Sequence, residues 1–154
     1  MVGSSELAAR LGDRLWAELL ERHNAAVRAQ LTRFDGREMD TAGDGFFAVF
    51  TTVEAALFAA CAIREAARSL DLDLRLGVHT GDCYVADGKC TGLAIHICAR
   101  IVGLAAAGEV LVSQAVCEEA GARFRFAGRG THTLRGIPGD WPLSALVAIP
   151  EQGA

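Results

Sequence analysis

A few side chains in this sequence have the types and spacings from which a polar reaction site is built. Asp44 lies in Gly43-Asp44-Gly45, which reads as a hairpin tip and aims the carboxylate out of a sheet, and Asp40 precedes it on the same strand. His96 and Arg100 are one helical turn apart, which places them on one face of a helix. Lys89 is the only lysine in the chain, and Arg135 sits in Leu134-Arg135-Gly136. Carboxylates hold hard cations, and a guanidinium presents a donor fork that matches phosphate oxygens. Taken one at a time these features are ordinary. A Gly-Asp-Gly is most often a plain turn, Asp40 and Lys89 read as solvated charges, and a lone histidine on a helix is commonly satisfied by backbone. Cys90, His96 and Cys98 match no standard zinc spacing.

The whole chain limits what such a site serves. Its 154 residues suit one compact domain, 1–154, with a well-filled core: 51% are hydrophobic, 22% charged and only 3 are proline. That composition excludes disorder and proline-rich linkers. Fifteen basic residues against 19 acidic ones give a net charge of −4 and no contiguous basic surface, which argues against nucleic acid as a partner. The apolar runs Val53 to Ile63 and Leu93 to Ala107 are interrupted by Glu54, His96 and Arg100 and are too short for a membrane span. Glu6 and Arg10 stand where a signal peptide needs an apolar run, and five cysteines without a CxxC pair fit reduced thiols. The expectation is a cytoplasmic protein with no membrane partner.

The elements that must position these residues follow from periodicity. Leu7, Leu11, Leu15, Leu19, Leu20, Val27 and Leu31 recur near helical spacing after Ser4 and Ser5, with a soft point at Gly12. Arg37 to Ala42 and Phe46 to Phe50 read as a β-hairpin. Thr51 and Thr52 cap a helix running to about Ser69, with Leu57, Phe58, Cys61 and Ile63 inward. Leu72, Leu74, Leu76 and Val78 alternate with polar neighbours as in a half-buried strand, and Cys83 to Ala86 follows as a strand. A loop from Asp87 to Gly92 leads to a helix over Leu93 to Ala105, a strand at Val110 to Val112 and a short helix capped by Ser113. Phe124 to Arg129, Thr131 to Leu134 and Trp141 to Ala148 read as a terminal meander. Interleaved helices and hairpins imply an α+β sheet covered mostly on one face. The chain begins almost on a helix, where a split βαβ arrangement has a strand first.

Six segments together resemble one family, the catalytic domains of class III adenylyl and guanylyl cyclases. They are Val2 to Leu7, Gly36 to Phe50, Leu76 to Asp82, Gly92 to Arg100, Gly108 to Ser113 and Leu134 to Gly136, in the family's order along nearly the whole chain. The resemblance implies a ferredoxin-like cyclase fold: a mostly antiparallel sheet with helices packed on it, whose first strand is absent from this chain. It implies a lyase that converts ATP to 3′,5′-cyclic AMP and pyrophosphate at a homodimer interface, with two Mg²⁺ or Mn²⁺ ions held by two aspartates. Asp44 matches the second of these; the first would fall just before Met1, so either Met1 is an internal methionine of a longer protein or the domain has lost half its metal site, and the activity of the 154-residue chain is expected to be impaired. Arg100 matches the arginine that stabilises the pentacovalent phosphate, His96 stands at the ribose-orienting asparagine, and Arg135 stands where a lysine binds triphosphate. Asp40 and Lys89 occupy the base-reading positions with their signs exchanged, which still permits adenine, with GTP the less favoured substrate. The alternative reading is a non-catalytic cyclase-homology module that dimerises, binds nucleotide and regulates a partner. A missing central strand also leaves two strand edges unpaired.

Overall fold

A computed structural model describes residues 1–152. The chain opens with two helices, α1 (Ser4–Leu11) and α2 (Asp13–Arg33), separated at Gly12, whose φ of 81° a residue with a Cβ rarely adopts. The buried stripe His23, Val27 and Leu31 on α2 has the i, i+4, i+8 spacing of one helix face. The hairpin follows as β1 (Arg37–Ala42) and β2 (Gly45–Val49), with a bulge between Glu38 and Asp40. Next comes α3 (Val53–Arg68), capped as expected: the Thr52 hydroxyl accepts from the Ala55 N–H at 3.1 Å. Then come β3 (Leu76–Val78), β4 (Tyr84–Ala86), β5 (Lys89–Thr91), α4 (Leu93–Leu104), β6 (Val110–Ser113), α5 (Gln114–Ala120), β7 (Arg125–His132) and β8 (Trp141–Ala148).

The main sheet has the order β3-β6-β8-β7, parallel between β3 and β6 and antiparallel elsewhere. It is covered on both faces rather than mostly on one. Val110 and Val112 of β6 pack with Val53, Leu57 and Ala60 of α3 and Val116 of α5, while Leu111 between them packs with Ile97 and Ile101 of α4. A strand whose four residues are all buried needs a partner layer on each side, and the run Val110-Leu111-Val112 supplies it. α4 lies unusually close to β3: a Cβ built on Gly77 would meet Val102 Cγ2 at 2.6 Å.

The β1–β2 hairpin forms a sheet of its own, with no ladder to β3. Met1 and Val2 lie between the two: the Val2 N–H donates to the Asp73 carbonyl at 2.8 Å, and the Met1 amino group reaches the hairpin tip. The α+β fold with helices packed on a largely antiparallel sheet agrees with the sequence reading.

Three segments differ from expectation. The strand expected over Leu72 to Val78 pairs only from Leu76, although Leu72 and Leu74 are buried, against Ala67. Asp87 to Gly92 is a two-residue turn followed by β5 rather than a loop. The meander has two strands rather than three, because β7 continues through Gly128 to Thr131 with a register shift instead of a turn. Among the described residues no helix is long and apolar enough to cross a membrane.

Candidate functional site

Asp44 lies at the tip of the β1–β2 hairpin, about a quarter exposed, with Oδ2 2.9 Å from the Met1 amino group. His23 of α2 is buried nearby, 1% exposed, and its ring meets Phe46 edge-on at 6.3 Å between centroids. The ring edge faces the Asp44 backbone, yet neither nitrogen completes a hydrogen bond, and burial holds the His23 pKa below its usual value. Asp40 is exposed and accepts from the Thr41 N–H at 2.9 Å. Beside it the Arg28 guanidinium makes two 3.0 Å bonds to the Glu38 carboxylate and lies over the Phe46 ring. Arg28, with the Thr41 hydroxyl second, lowers the Glu38 pKa to about 2.

The cationic residues stand on the main sheet's side. α4 buries Ile97 and Ile101 and presents His96 and Arg100 outward, as their spacing requires. Arg100 Nε donates to the Arg135 backbone carbonyl at 3.2 Å, which ties α4 to the loop that carries Arg135. That loop is pinned at both ends. Leu134 is buried and its carbonyl accepts from the Ile137 N–H, while Trp141 Nε1 donates to the Pro138 carbonyl at 3.2 Å.

Beneath α4, His79 Nδ1 lies 2.7 Å from the Oγ of fully buried Ser113, and Trp141 meets the His79 ring edge-on. Burial lowers the His79 pKa and raises that of the neighbouring Cys98 thiol to about 11. Ser113 therefore spends its hydroxyl on His79, and α5 has no side-chain cap. This buried pair was not visible from sequence; its one signal was His79 at the end of an alternating run.

Lys89 lies on β5, opposite Ala86, on a hairpin that forms a third sheet. That hairpin and the start of α4 expose Tyr84 (72%), Val85 and Leu93. The fold thus brings Arg100 to Arg135, keeps His96 on the face of Arg100, and places Asp40 and Asp44 on one hairpin. Among the described residues no ion pair or hydrogen bond joins Asp44 to Arg100, or Asp40 to Lys89. An outward guanidinium on a helix suits a polyphosphate, and a partly exposed carboxylate at a tip suits a hard cation. No group of three or more His, Cys, Asp or Glu side chains among the described residues could hold a metal ion by itself.

No protein-family model matches the chain. An uncharacterised protein of Mycobacterium bovis is 37% identical over 101 residues, 62% of this chain and 35% of that protein. A candidate adenylate cyclase of Rhizobium meliloti is 28% identical over 146 residues, 88% of this chain and 25% of that protein. The chain thus spans about a third of the first of these relatives and a quarter of the second. Among solved structures, the adenylyl cyclase CyaB of P. aeruginosa superposes with a TM-score of 0.85 at 18% identity, over 96% of this chain and 89% of that one. The catalytic core of a rhodopsin-guanylyl cyclase of converted specificity, in complex with ATPαS, gives 0.86 at 15% identity, over 96% and 90%.

Proposed function

From a chain with the fold of class III cyclase catalytic domains, we propose a nucleotide cyclase domain that turns ATP into 3′,5′-cyclic AMP and pyrophosphate at a homodimer interface. The observation that carries this reading is the separation of charge. Arg100 is bonded to the backbone of Arg135, while Asp40 and Asp44 lie on a hairpin that, among the described residues, no ion pair joins to either arginine. In a head-to-tail pair the hairpin of one protomer meets the two arginines of the other. The exposed Tyr84, Val85 and Leu93 give such a pair an apolar contact.

Each residue has a task in this reading. The ribose 3′-hydroxyl attacks the α-phosphate and pyrophosphate leaves. The Arg100 fork faces the phosphoryl oxygens as they gain charge, Arg135 holds the triphosphate, and His96 orients the ribose. Asp40 accepts from the adenine amino group and Lys89 donates to a ring nitrogen. Asp44 suits a divalent cation, since its carboxylate stands partly exposed at a hairpin tip. Mg²⁺ or Mn²⁺ bound there with triphosphate oxygens would neutralise phosphate charge. Since no group of three or more His, Cys, Asp or Glu side chains among the described residues could hold a metal by itself, ions there would depend on triphosphate oxygens and water for their other ligands, and weak activity is the expected outcome.

The test is cyclic nucleotide formation by the purified protein from ATP and GTP with Mn²⁺ or Mg²⁺, beside calorimetric nucleotide binding. Slow cyclic AMP formation, favoured by Mn²⁺ and reduced about 10²–10³-fold by Arg100→Ala, is expected. For the base, Asp40→Lys and Lys89→Asp each weaken ATP binding by roughly 2–5 kcal/mol, and the double variant recovers it. Four chains that bind alike would remove the base-reading roles. Nucleotide binding without product under any metal would favour the regulatory module, a reading that rests on Asp44 being the single carboxylate at the tip.

A further inference from the structure

The five thiols are not equivalent. Cys61 is 7% exposed, the Cys98 thiol donates to the Gly77 carbonyl at 3.6 Å beneath α4, and Cys117 is partly covered on α5, where burial raises its pKa. Cys83 is exposed and Cys90 partly exposed, both on the β4–β5 hairpin. The ladder there runs Ala86 to Lys89, Val85 to Cys90 and Tyr84 to Thr91, which places Cys83 next, opposite Gly92. A Cβ built on Gly92 would lie 4.0 Å from Cys83 Cβ, so the two chains are still adjacent at that rung. Cys83 and Cys90 are therefore on the same face of the hairpin, diagonal to one another and two rungs apart. The nearness of the Cys83 thiol, with burial second, raises the Cys90 pKa.

We propose that Cys83 and Cys90 form a redox-active dithiol that closes to an intrachain disulfide across the β4–β5 hairpin, with Lys89 and its turn inside the closed loop. This goes beyond the nucleotide reading and does not depend on it. A bridge needs Cβ atoms about 3.5–4.5 Å apart, so closing this two-rung diagonal requires the two strands to slide or twist. This hairpin is free to do so, because its ladder is only with itself, and the Asp87-Gly88 turn has both φ angles positive. The oxidant is a peroxide. The Cys83 thiolate attacks one peroxide oxygen, the O–O bond breaks, and Cys83 becomes a sulfenic acid with one water released. The Cys90 sulfur then attacks the Cys83 sulfur, the S–O bond breaks, and a second water leaves with the Cys90 proton. Two thiols are oxidised by two electrons and one hydrogen peroxide is reduced to two waters.

The experiment treats the reduced full chain with stoichiometric hydrogen peroxide, blocks remaining thiols after denaturation and maps the peptides by mass. Expected is a monomeric chain two hydrogens lighter, with three blockable thiols and a linked peptide pair containing Cys83 and Cys90. A Cys90→Ser chain is expected to stop at a Cys83 sulfenic acid that dimedone traps, and Cys83→Ser to lose the peroxide reaction. Equal far-ultraviolet circular dichroism of the variants separates loss of the reaction from loss of the fold. Cys83 oxidised with Cys90 still blockable, links only between chains, or a bridge to Cys61, Cys98 or Cys117 would each overturn the proposal.

Discussion

Arg100 and Arg135 stand over a well-buried cluster of the main sheet, whereas Asp40 and Asp44 stand on a hairpin with a single ladder. The helix under Arg100 puts Ile101, fully buried, against Leu111 and Leu143, and the loop under Arg135 is pinned by buried Leu134. The hairpin has a single ladder, β1 to β2, and leans on α2 through Phe46 against His23 and through Arg28 with Glu38. Local opening free energy follows buried apolar contact and hydrogen-bond coverage, so the arginine half is rigid and the carboxylate half is adjustable. A site completed between two chains tolerates that division: one half is preorganised and the other adapts as the partner arrives.

The most damaging way to test this contrast is to empty the rigid half. Ile101→Ala removes a fully buried side chain and is expected to cost about 2–5 kcal/mol in urea unfolding. Phe46→Ala, on a partly buried ring, costs less than Ile101→Ala, and its main signature is faster amide exchange in β1 and β2. Exchange in β6 and β8 should stay slow in that variant. Uniform acceleration across both sheets would show that the hairpin is not a separate unit.

The same division explains what the sequence revealed. Periodicity found α2, α3, α4 and β6, because burial of one face repeats with each element's geometry. It overran at Leu72 and Leu74, since alternation reports burial and not pairing: Asp71 has a φ of 58°, and the Asp73 carbonyl is taken by Val2. It missed β5 because Lys89-Cys90-Thr91 is short and polar, although Asp87-Gly88 is a strong two-residue hairpin signal. Of the candidate site, the shared face of His96 and Arg100 was legible from spacing, whereas the contact of Arg100 with Arg135 links distant segments and needed the fold. His79 with Ser113 was hidden because a serine before a helix reads as a cap.

A smaller effect comes from the two buried histidines, one in each region. His79→Leu strands the Ser113 hydroxyl in the core, a loss of about 1–3 kcal/mol. His23→Leu removes two ring nitrogens that have no hydrogen-bond partner and is expected to be neutral or slightly stabilising. Both folded pKa values lie below the ordinary 6.5, so the unfolded chain takes up these protons first. Stability from each neutral ring is complete above pH 6.5 and declines as pH falls below it. Unfolding curves at pH 7.5 and 5.5 measure this, and His23→Leu should flatten the decline. A large loss in His23→Leu at pH 7.5 would mean that its nitrogens do hold the hairpin.

The smallest effect concerns Glu38, which tests whether the hairpin's tie to α2 is electrostatic. Its folded pKa of about 2 lies below the ordinary 4.5 because Arg28 and then Thr41 bond the charged form. A depressed carboxylate stabilises fully above its unfolded pKa, and that stability is lost as pH falls from about 4.5 through 2. The pair is solvent-exposed, so the change is slight and weakened by salt. Local readout is therefore better than global unfolding. Amide exchange in β1 and β2, corrected for its intrinsic pH dependence, should show protection falling between pH 4.5 and 3 in the wild type, more steeply in dilute buffer than in 1 M salt. Glu38→Gln should have the lower protection already at pH 6 and little further change on acidification through this window. If wild type and Glu38→Gln lose protection in parallel, the hairpin is held by the Phe46 contact and its ladder, and the Arg28 bonds are incidental.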